Sequence, residues 1–471
     1  MAADSFSLAD FDVIGFDLDH TICKYKLNEV FPLIYYSLAK NMVEKKGHDK
    51  SLLEPFELDK DFMTKGLVFD VITGDLLKLS GDGHILKASH GTRILSDEEI
   101  QTDYGKGRLW SPDKFQQLKE TLKQTDDMRY FENYFDMTGA VLCARMVDII
   151  DKKQADGKRP KTYYSFLSDM WQCYGYSYNR ENFAANKGLF FPPIKENPEK
   201  YFQQCSKEMK DWLKSLKAAG KVVFLCTTSH VDYARHLLQY IIGPDWQSYF
   251  DVCCTYARKP GFFTGTPETR PFYELVDDVE QAESIVTTLE PDNIYSQGNA
   301  LALLELLKKL TGKDDPKVVY VGDSLRSDVF PMASLNWSSL LILEEMQAEG
   351  LITNGDKEND GSDGDTNNPP PKRKKYSLPD ALEIEYLLSS KWGSFFTTNN
   401  NISGDGKNEN QTGIAAMNTL WGYFIKTYSD IAVPGLEYII DLPLDHKFPT
   451  FSVEKNRSGF YPALPKALAT P

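Results

Sequence analysis

The chain has 471 residues, 41% of them hydrophobic and 13% aromatic, enough to bury a large core in two or three domains and to exclude global disorder. Its 53 basic and 68 acidic residues leave a net charge of −15, which disfavours non-specific adhesion to nucleic acid or to an anionic membrane. The seven cysteines (Cys23, Cys143, Cys173, Cys205, Cys226, Cys253, Cys254) form no C-x-x-C pair, so neither a disulfide framework nor a thiolate zinc site is expected. No apolar run approaches the ~20 residues of a membrane-spanning helix, and no basic stretch leads into an apolar one at the N-terminus. The expected location is the cytoplasm.

In chain order, the first apolar segment (Val13, Ile14, Phe16) stops at Asp17-Leu18-Asp19-His20-Thr21. Ligands of open α/β sheets bind outside the carboxyl ends of strands, so two acids one residue apart can face one crevice. Leu27 to Lys46 then has helical spacing (Val30, Ile34, Leu38) with Gly47 as its stop, and it reads as the first helix of a βα layer. From Gly66 short apolar runs alternate with Gly74-Asp75 and Gly81-Asp82-Gly83 turns, a hairpin pattern. Phe115 to Asp151 and Lys161 to Cys173 have helical spacing, and Gly188 to Pro193 reads as a loop.

Doubly wound rhythm returns at Ser206, an N-cap for a helix carrying Met209, Trp212, Leu213 and Leu216 on one face and ending at Gly220. Val222 to Cys226 is a wholly apolar run of the kind a central parallel strand shows, and it ends in Thr227-Thr228-Ser229. Phe250 to Cys254 leads to Arg258-Lys259-Pro260. A helix over Ala300–Leu310 precedes Val318 to Val321, which ends in Gly322-Asp323, and Leu340 to Leu343 closes the series. From Gln347 to Pro379 the polar composition predicts a disordered loop, with Lys372-Arg373-Lys374-Lys375 as a solvated charge run or, alternatively, a nuclear-import signal. Aromatic residues (Trp392, Phe395, Phe396, Trp421, Tyr423, Phe424) return in a tail expected to pack back on the core.

Strand ends thus carry Asp17 with Asp19, Thr227, Lys259, and Asp323 with Asp328. Singly each reads as a turn, a helix cap or a solvated loop. Their order, with a domain-sized insert between the first and second, is what carries information. In that order they resemble the haloacid dehalogenase superfamily of phosphohydrolases, whose motifs are Asp-x-Asp-x-Thr, a Ser or Thr, a Lys and an acidic pair. Within it the chain is similar to the cytosolic purine 5′-nucleotidase family, through Gly66-Leu67-Val68-Phe69-Asp70, His90-Gly91, Phe224 to Ser229, Ala257 to Pro260, Tyr295 to Gly298 and Trp392 to Phe395.

The resemblance implies an α/β fold with a Rossmann-like core, a parallel sheet with helices on both faces, and a large α+β cap inserted between motifs one and two. On that reading residues 1–60 and 201–346 are core, 61–200 cap, 347–379 the polar loop, and 380–471 an extension on the core with a polar insert near 399–411. It implies a hydrolase for a small phosphate ester, a nucleoside 5′-monophosphate above all, with Mg2+ as cofactor. Asp17 is then the nucleophile and Asp19 the general acid/base, its pKa raised while Asp17 stays ionised. Thr227 donates to a phosphoryl oxygen, Lys259 neutralises charge, and Asp17, the Asp19 carbonyl and Asp323 hold the metal. Asp328, Thr228 and Ser229 support them. The related purine enzymes include tetramers, so self-association is compatible with this reading.

His20 stands where the family commonly has an aromatic residue, Thr228 where it has Asn, and Thr92-Arg93-Ile94 where base-reading residues follow His90-Gly91. Base and sugar specificity therefore stay open. So do hydrolysis against phosphotransfer to a nucleoside, and an active enzyme against a binding or scaffolding protein on a phosphatase fold. His230 reads as a capping or surface histidine.

Overall fold

A computed structural model describes residues 4–154, 160–351, 385–398 and 412–469. The basic run Lys372–Lys375, residues 352–379 of the polar loop and the 399–411 insert lie outside the described residues.

The first core strand, β1 (Val13–Phe16), is followed by the acid-bearing turn and then by the two-residue strand Lys24–Tyr25. Helix α1 spans Leu27–Lys46 and is closed by Gly47 in the left-handed conformation at φ 72°, with the Gly47 N–H bonded to the Val43 carbonyl. It does not form a layer on the core sheet, as its position after β1 suggested. Its apolar face packs on two helices of the insert, where Asn41 bonds Ser177 at 3.0 Å and the Tyr35 hydroxyl accepts from Arg145.

The insert carries an antiparallel sheet of five strands, β2 (Leu67–Asp70), β3 (Asp75–Leu79), β4 (Ile85–His90), β5 (Arg93–Ile94) and β6 (Met128–Phe131), in the order β5-β4-β3-β2-β6. Strand β6 interrupts the continuous helical pattern expected over Phe115–Asp151. Tyr130 and Phe131 are spent on pairing with β2, and the helices stop at Thr121 and resume with α2 (Thr138–Lys152). Local spacing lost there to strand pairing. Helix α3 (Tyr164–Ser177) begins later and ends later than its apolar spacing suggested. The loop expected at Gly188–Pro193 instead runs into a short helix, Phe191–Glu196, because its two prolines occupy a first turn that needs no N–H donors. The chain returns to the core through Phe202–Gln203, which pairs antiparallel with Lys24–Tyr25.

The core then adds α4 (Lys207–Ala218, capped by the Ser206 hydroxyl), β7 (Val222–Cys226), α5 (Val231–Ile241), β8 (Val252–Thr255), β9 (Phe272–Val276), β10 (Val279–Val286), β11 (Asn293–Gln297), α6 (Ala300–Thr311), β12 (Val318–Gly322) and β13 (Ser338–Ile342). After the tail helix α7 (Leu420–Tyr428), strand β14 (Ile431–Val433) joins the same sheet. Strand order is β10-β9-β11-β8-β7-β1-β12-β13-β14, parallel from β11 to β14, with β9 and β10 an antiparallel hairpin at one edge. The series therefore does not close at β13. Both faces are covered, so Val13, Val222, Val252 and Val318 bury on one side and Ile14, Val223, Cys253 and Val319 on the other. All seven cysteines are free thiols, six of them buried.

The tail joins both units. Trp392 donates its indole N–H to the Phe62 carbonyl at 2.7 Å, and Trp421 donates to the Gly66 carbonyl at 2.7 Å. Gly66 is obligatory there, since its φ is 92° and a Cβ would lie 1.8 Å from the Trp421 ring. Among the described residues no helix is long and apolar enough to cross a membrane.

Candidate active site

Strands β1, β7, β8 and β12 run parallel and side by side, so their carboxyl ends share one edge of the sheet. That edge floors a cavity of about 430 Å³, lined on the core side by Asp17, Asp19, Thr228, Ser229, Lys259, Asp323 and Asp328. The backbone N–H of Asp17 still bonds the Val321 carbonyl, which fixes the first acid to the sheet.

Lys259 is the hub. Its ammonium, 3% exposed, lies 2.8 Å from Asp17 and 2.6 Å from Asp328, and donates to the Tyr320 hydroxyl at 3.1 Å. Tyr320 in turn donates to the Cys226 carbonyl at 2.6 Å, so the lysine is held from strands on either side. Asp328 also accepts from the Ser324 N–H, across the single π-turn Leu325–Val329 that joins it to Asp323. Asp328 thus sits against Lys259 at the foot of the cavity.

Asp19 accepts from Tyr25 at 2.6 Å, from Ser229 at 2.7 Å and from Thr227 at 3.4 Å. Thr227 is completely buried and its hydroxyl also accepts from the Ser229 N–H. Thr227, expected as a donor to a phosphoryl oxygen, here faces Asp19. The turn after β7 aims its hydroxyl at Asp19, and the cavity face belongs to Thr228 and Ser229. Thr228 accepts from the Lys259 N–H and so ties the second and third strand ends together.

Burial raises the pKa of Asp17 to about 7, with Lys259 opposing and Asp328 and Asp19 adding to the rise. Burial also raises Asp19, against the three hydroxyl donors. The expected split, with only Asp19 raised, is absent while both acids sit in the same dry, acid-rich crevice. Asp323 is raised by burial and then by Asp328. Its carboxylate makes no hydrogen bond or ion pair among the described residues, and carboxylate oxygens of Asp17, Asp323 and Asp328 lie within 4.8 Å of one another. An all-oxygen set with one unserved carboxylate and surplus buried negative charge fits a hard divalent cation.

The opposite wall comes from the insert and from the first turn of α5. Phe135, Tyr178, Phe183, Phe190, Phe191 and Tyr233 make it aromatic. Their rings adjoin, with centroids 6.0 Å apart for Phe135 and Tyr178 and 5.5 Å for Phe183 and Tyr233. His20 is not a lost aromatic residue here. At φ 55° it turns its ring onto Tyr25, centroids 4.4 Å apart, and burial with Lys65 nearby holds it neutral. His230 occupies the start of α5 without a side-chain cap bond and stacks on Tyr256 at 3.8 Å. Burial, then Arg180, lowers its pKa to about 4.

Sequence reasoning did not single out Tyr25, Glu132, Arg180, Asp232 or Arg326, all at or beside this cavity. Arg326 had a signal, being a base placed between the two acids of motif four. Glu132 had the signal of an acid directly after an apolar strand. His90, part of the motif quoted for the resemblance, is absent from the cavity wall. Its ring nitrogens lie 2.6 Å from Asp75 and from Asp151.

The model of the 5′ nucleotidase family matches residues 1–368. The chain is 41% identical over 470 residues to 5′-nucleotidase domain-containing protein 1 of Homo sapiens, covering 99% of this chain and 98% of that protein. The Bos taurus protein of the same name is 42% identical over 469 residues, with the same coverage. The human 5′-nucleotidase domain-containing protein 2 is 27% identical over 356 residues, 75% of this chain and 64% of that protein.

Proposed function

The chain belongs to the 5′ nucleotidase family, a family of phosphomonoester hydrolases, and on that premise we propose that it is a Mg2+-dependent phosphomonoesterase hydrolysing a nucleoside 5′-monophosphate or a similar small phosphate ester. The observation that carries this reading is the convergence of Asp17, Asp19, Lys259 and Asp323 from the ends of strands β1, β8 and β12 on one cavity edge. The aromatic wall supports a leaving alcohol that carries a flat ring, such as a nucleoside with its base.

In the proposed reaction an Asp17 carboxylate oxygen attacks phosphorus, and the bond from phosphorus to the ester oxygen breaks. Asp19 gives its proton to that departing oxygen. It then takes a proton from the water whose oxygen attacks the aspartyl-phosphate, which frees Asp17 and inorganic phosphate. Lys259, bridging Asp17 and Asp328, balances charge on the phosphoryl oxygens. Asp17, Asp323 and the Asp19 carbonyl would hold Mg2+, which when bound supplies further positive charge beside the phosphoryl group. Tyr25 and Ser229 orient Asp19. The insert, reaching the cavity through Phe135 and its neighbours, acts as the cap that excludes water.

The test is phosphate release by the purified protein from a panel of nucleoside 5′-monophosphates, sugar phosphates and para-nitrophenyl phosphate, with Mg2+ and then with EDTA. Mg2+-dependent release from at least one nucleotide is expected. Absence of such release across the panel would overturn the reading.

A further inference from the structure

Two charged side chains on the cavity wall have bonding capacity that the protein does not use, and they come from different units. Glu132 follows β6 in the insert and is 3% exposed. Its two carboxylate oxygens lie 2.9 and 3.1 Å from a single hydroxyl, that of Ser324. One hydroxyl has one hydrogen, so at least one oxygen of this buried carboxylate is left without a donor. Among the described residues Glu132 makes no ion pair within 4.0 Å, and the largest influence on its charge, after burial, is Arg326 itself. The Ser324 hydroxyl also accepts from the Ser327 N–H, so the contact is built into the turn that carries Asp323 and Asp328.

Arg326 lies on that turn and faces the same cavity. Its guanidinium makes no hydrogen bond or ion pair among the described residues, and its Nε is buried without a partner. An arginine carries five N–H donors and no acceptor, and a carboxylate the reverse. Glu132 is buried and Arg326 half-buried, so a cavity walled by both offers a site to a ligand group that accepts from one and donates to the other.

A sugar hydroxyl has that character. The phosphoryl group does not suit Glu132, which would repel a dianion, and a nucleobase is matched by the aromatic wall that begins at Phe135. The contact of Glu132 with Ser324, next to Asp323, sets the pair one step away from the acids. We propose that Glu132 and Arg326 read the ribose hydroxyls of the substrate and make the enzyme prefer ribonucleotides to 2′-deoxyribonucleotides. The proposal rests on the nucleotide reading above.

The experiment measures kcat/KM for matched nucleoside and 2′-deoxynucleoside 5′-monophosphates, with para-nitrophenyl phosphate as a sugar-free probe. The wild type is expected to favour the ribonucleotide by at least about 10-fold, since a site built to bond a hydroxyl penalises its absence. In Glu132→Gln and, independently, Arg326→Met, that ratio falls towards one. Equal use of both nucleotides by the wild type overturns the proposal while leaving the nucleotide reading intact, and needs no variant to fold. A ratio kept in Arg326→Met also overturns it. Hydrolysis of para-nitrophenyl phosphate with no turnover of any nucleotide overturns this proposal and the nucleotide part of the reading above.

Discussion

Asp19 and Asp17 sit two residues apart yet are held in different ways. Asp17 has an ammonium, Lys259, at 2.8 Å, whereas Asp19 has three hydroxyls and no cation of its own. Tyr25 makes the shortest of those bonds and is itself 3.0 Å from the Tyr233 hydroxyl, so it links Asp19 to the wall of the cavity. Tyr25→Phe keeps the ring packing and removes only the hydroxyl. We predict that it lowers kcat by roughly 10- to 100-fold with little change in KM, because a proton-transferring group loses its fixed position. Steady-state kinetics on the preferred substrate checks this, and an unchanged kcat would show that Ser229 and Thr227 suffice. Asp17 and Asp323 were legible in the sequence because each follows an apolar strand directly, and Asp19, Lys259 and Asp328 because they lie a few residues beyond one. Tyr25 was not, since nothing in its local sequence says that it meets Asp19, and the local signals of Glu132 and Arg326 do not say that distant segments bring the two to one cavity. Thr227 was legible as a site residue, but the direction of its hydroxyl is decided by the turn and by Asp19.

Among the elements, the tail is fastened to the insert by Lys78 of β3. Its ammonium donates to the carbonyls of Trp392 and Ser394, while Glu349 accepts from Ser394 and from the Phe395 N–H. Burial pushes Lys78 down to about 7, with Glu349 only partly offsetting it. A lysine whose folded value lies below its unfolded one costs stability in full at low pH, where both states carry the proton. That cost is relieved as pH rises from about 7 towards the unfolded value near 10.5, because only the unfolded chain then binds the proton. Relative to Lys78→Met, the wild type should therefore gain on the order of 1 kcal/mol per pH unit between about pH 7 and about pH 10. Urea unfolding of both proteins across that window measures it, and a pH-independent difference would contradict it. Elements with one strong local signal, such as Leu27–Lys46 with its Gly47 stop or the apolar run Val222–Cys226, were legible. Where α1 packs, and why Met128–Phe131 is a strand within helical spacing, depends on partners far along the chain. So does β14, which adds to the sheet after residues that show no sign of it.

At the scale of the molecule, two units meet over one cavity, and each supplies what the other lacks. The core brings the acids and Lys259, and the insert brings Glu132 and the aromatic wall around Phe135. With a net charge of −15 the protein as a whole repels a phosphate dianion, so attraction has to be local. Lys259 provides part of it, and a divalent cation beside the unserved Asp323, as proposed above, would add to it. The sequence order of strand ends was enough to indicate this edge, while the cavity's selectivity lies in contacts between the units. The most direct test of the account is phosphate release from a nucleoside 5′-monophosphate, with Mg2+ present, by the wild type and by Asp17→Asn. That change keeps the shape of the side chain and removes its nucleophilic charge. The account predicts release by the wild type and a fall of at least about 10³-fold in the variant. Turnover of the variant at the wild-type rate would contradict it.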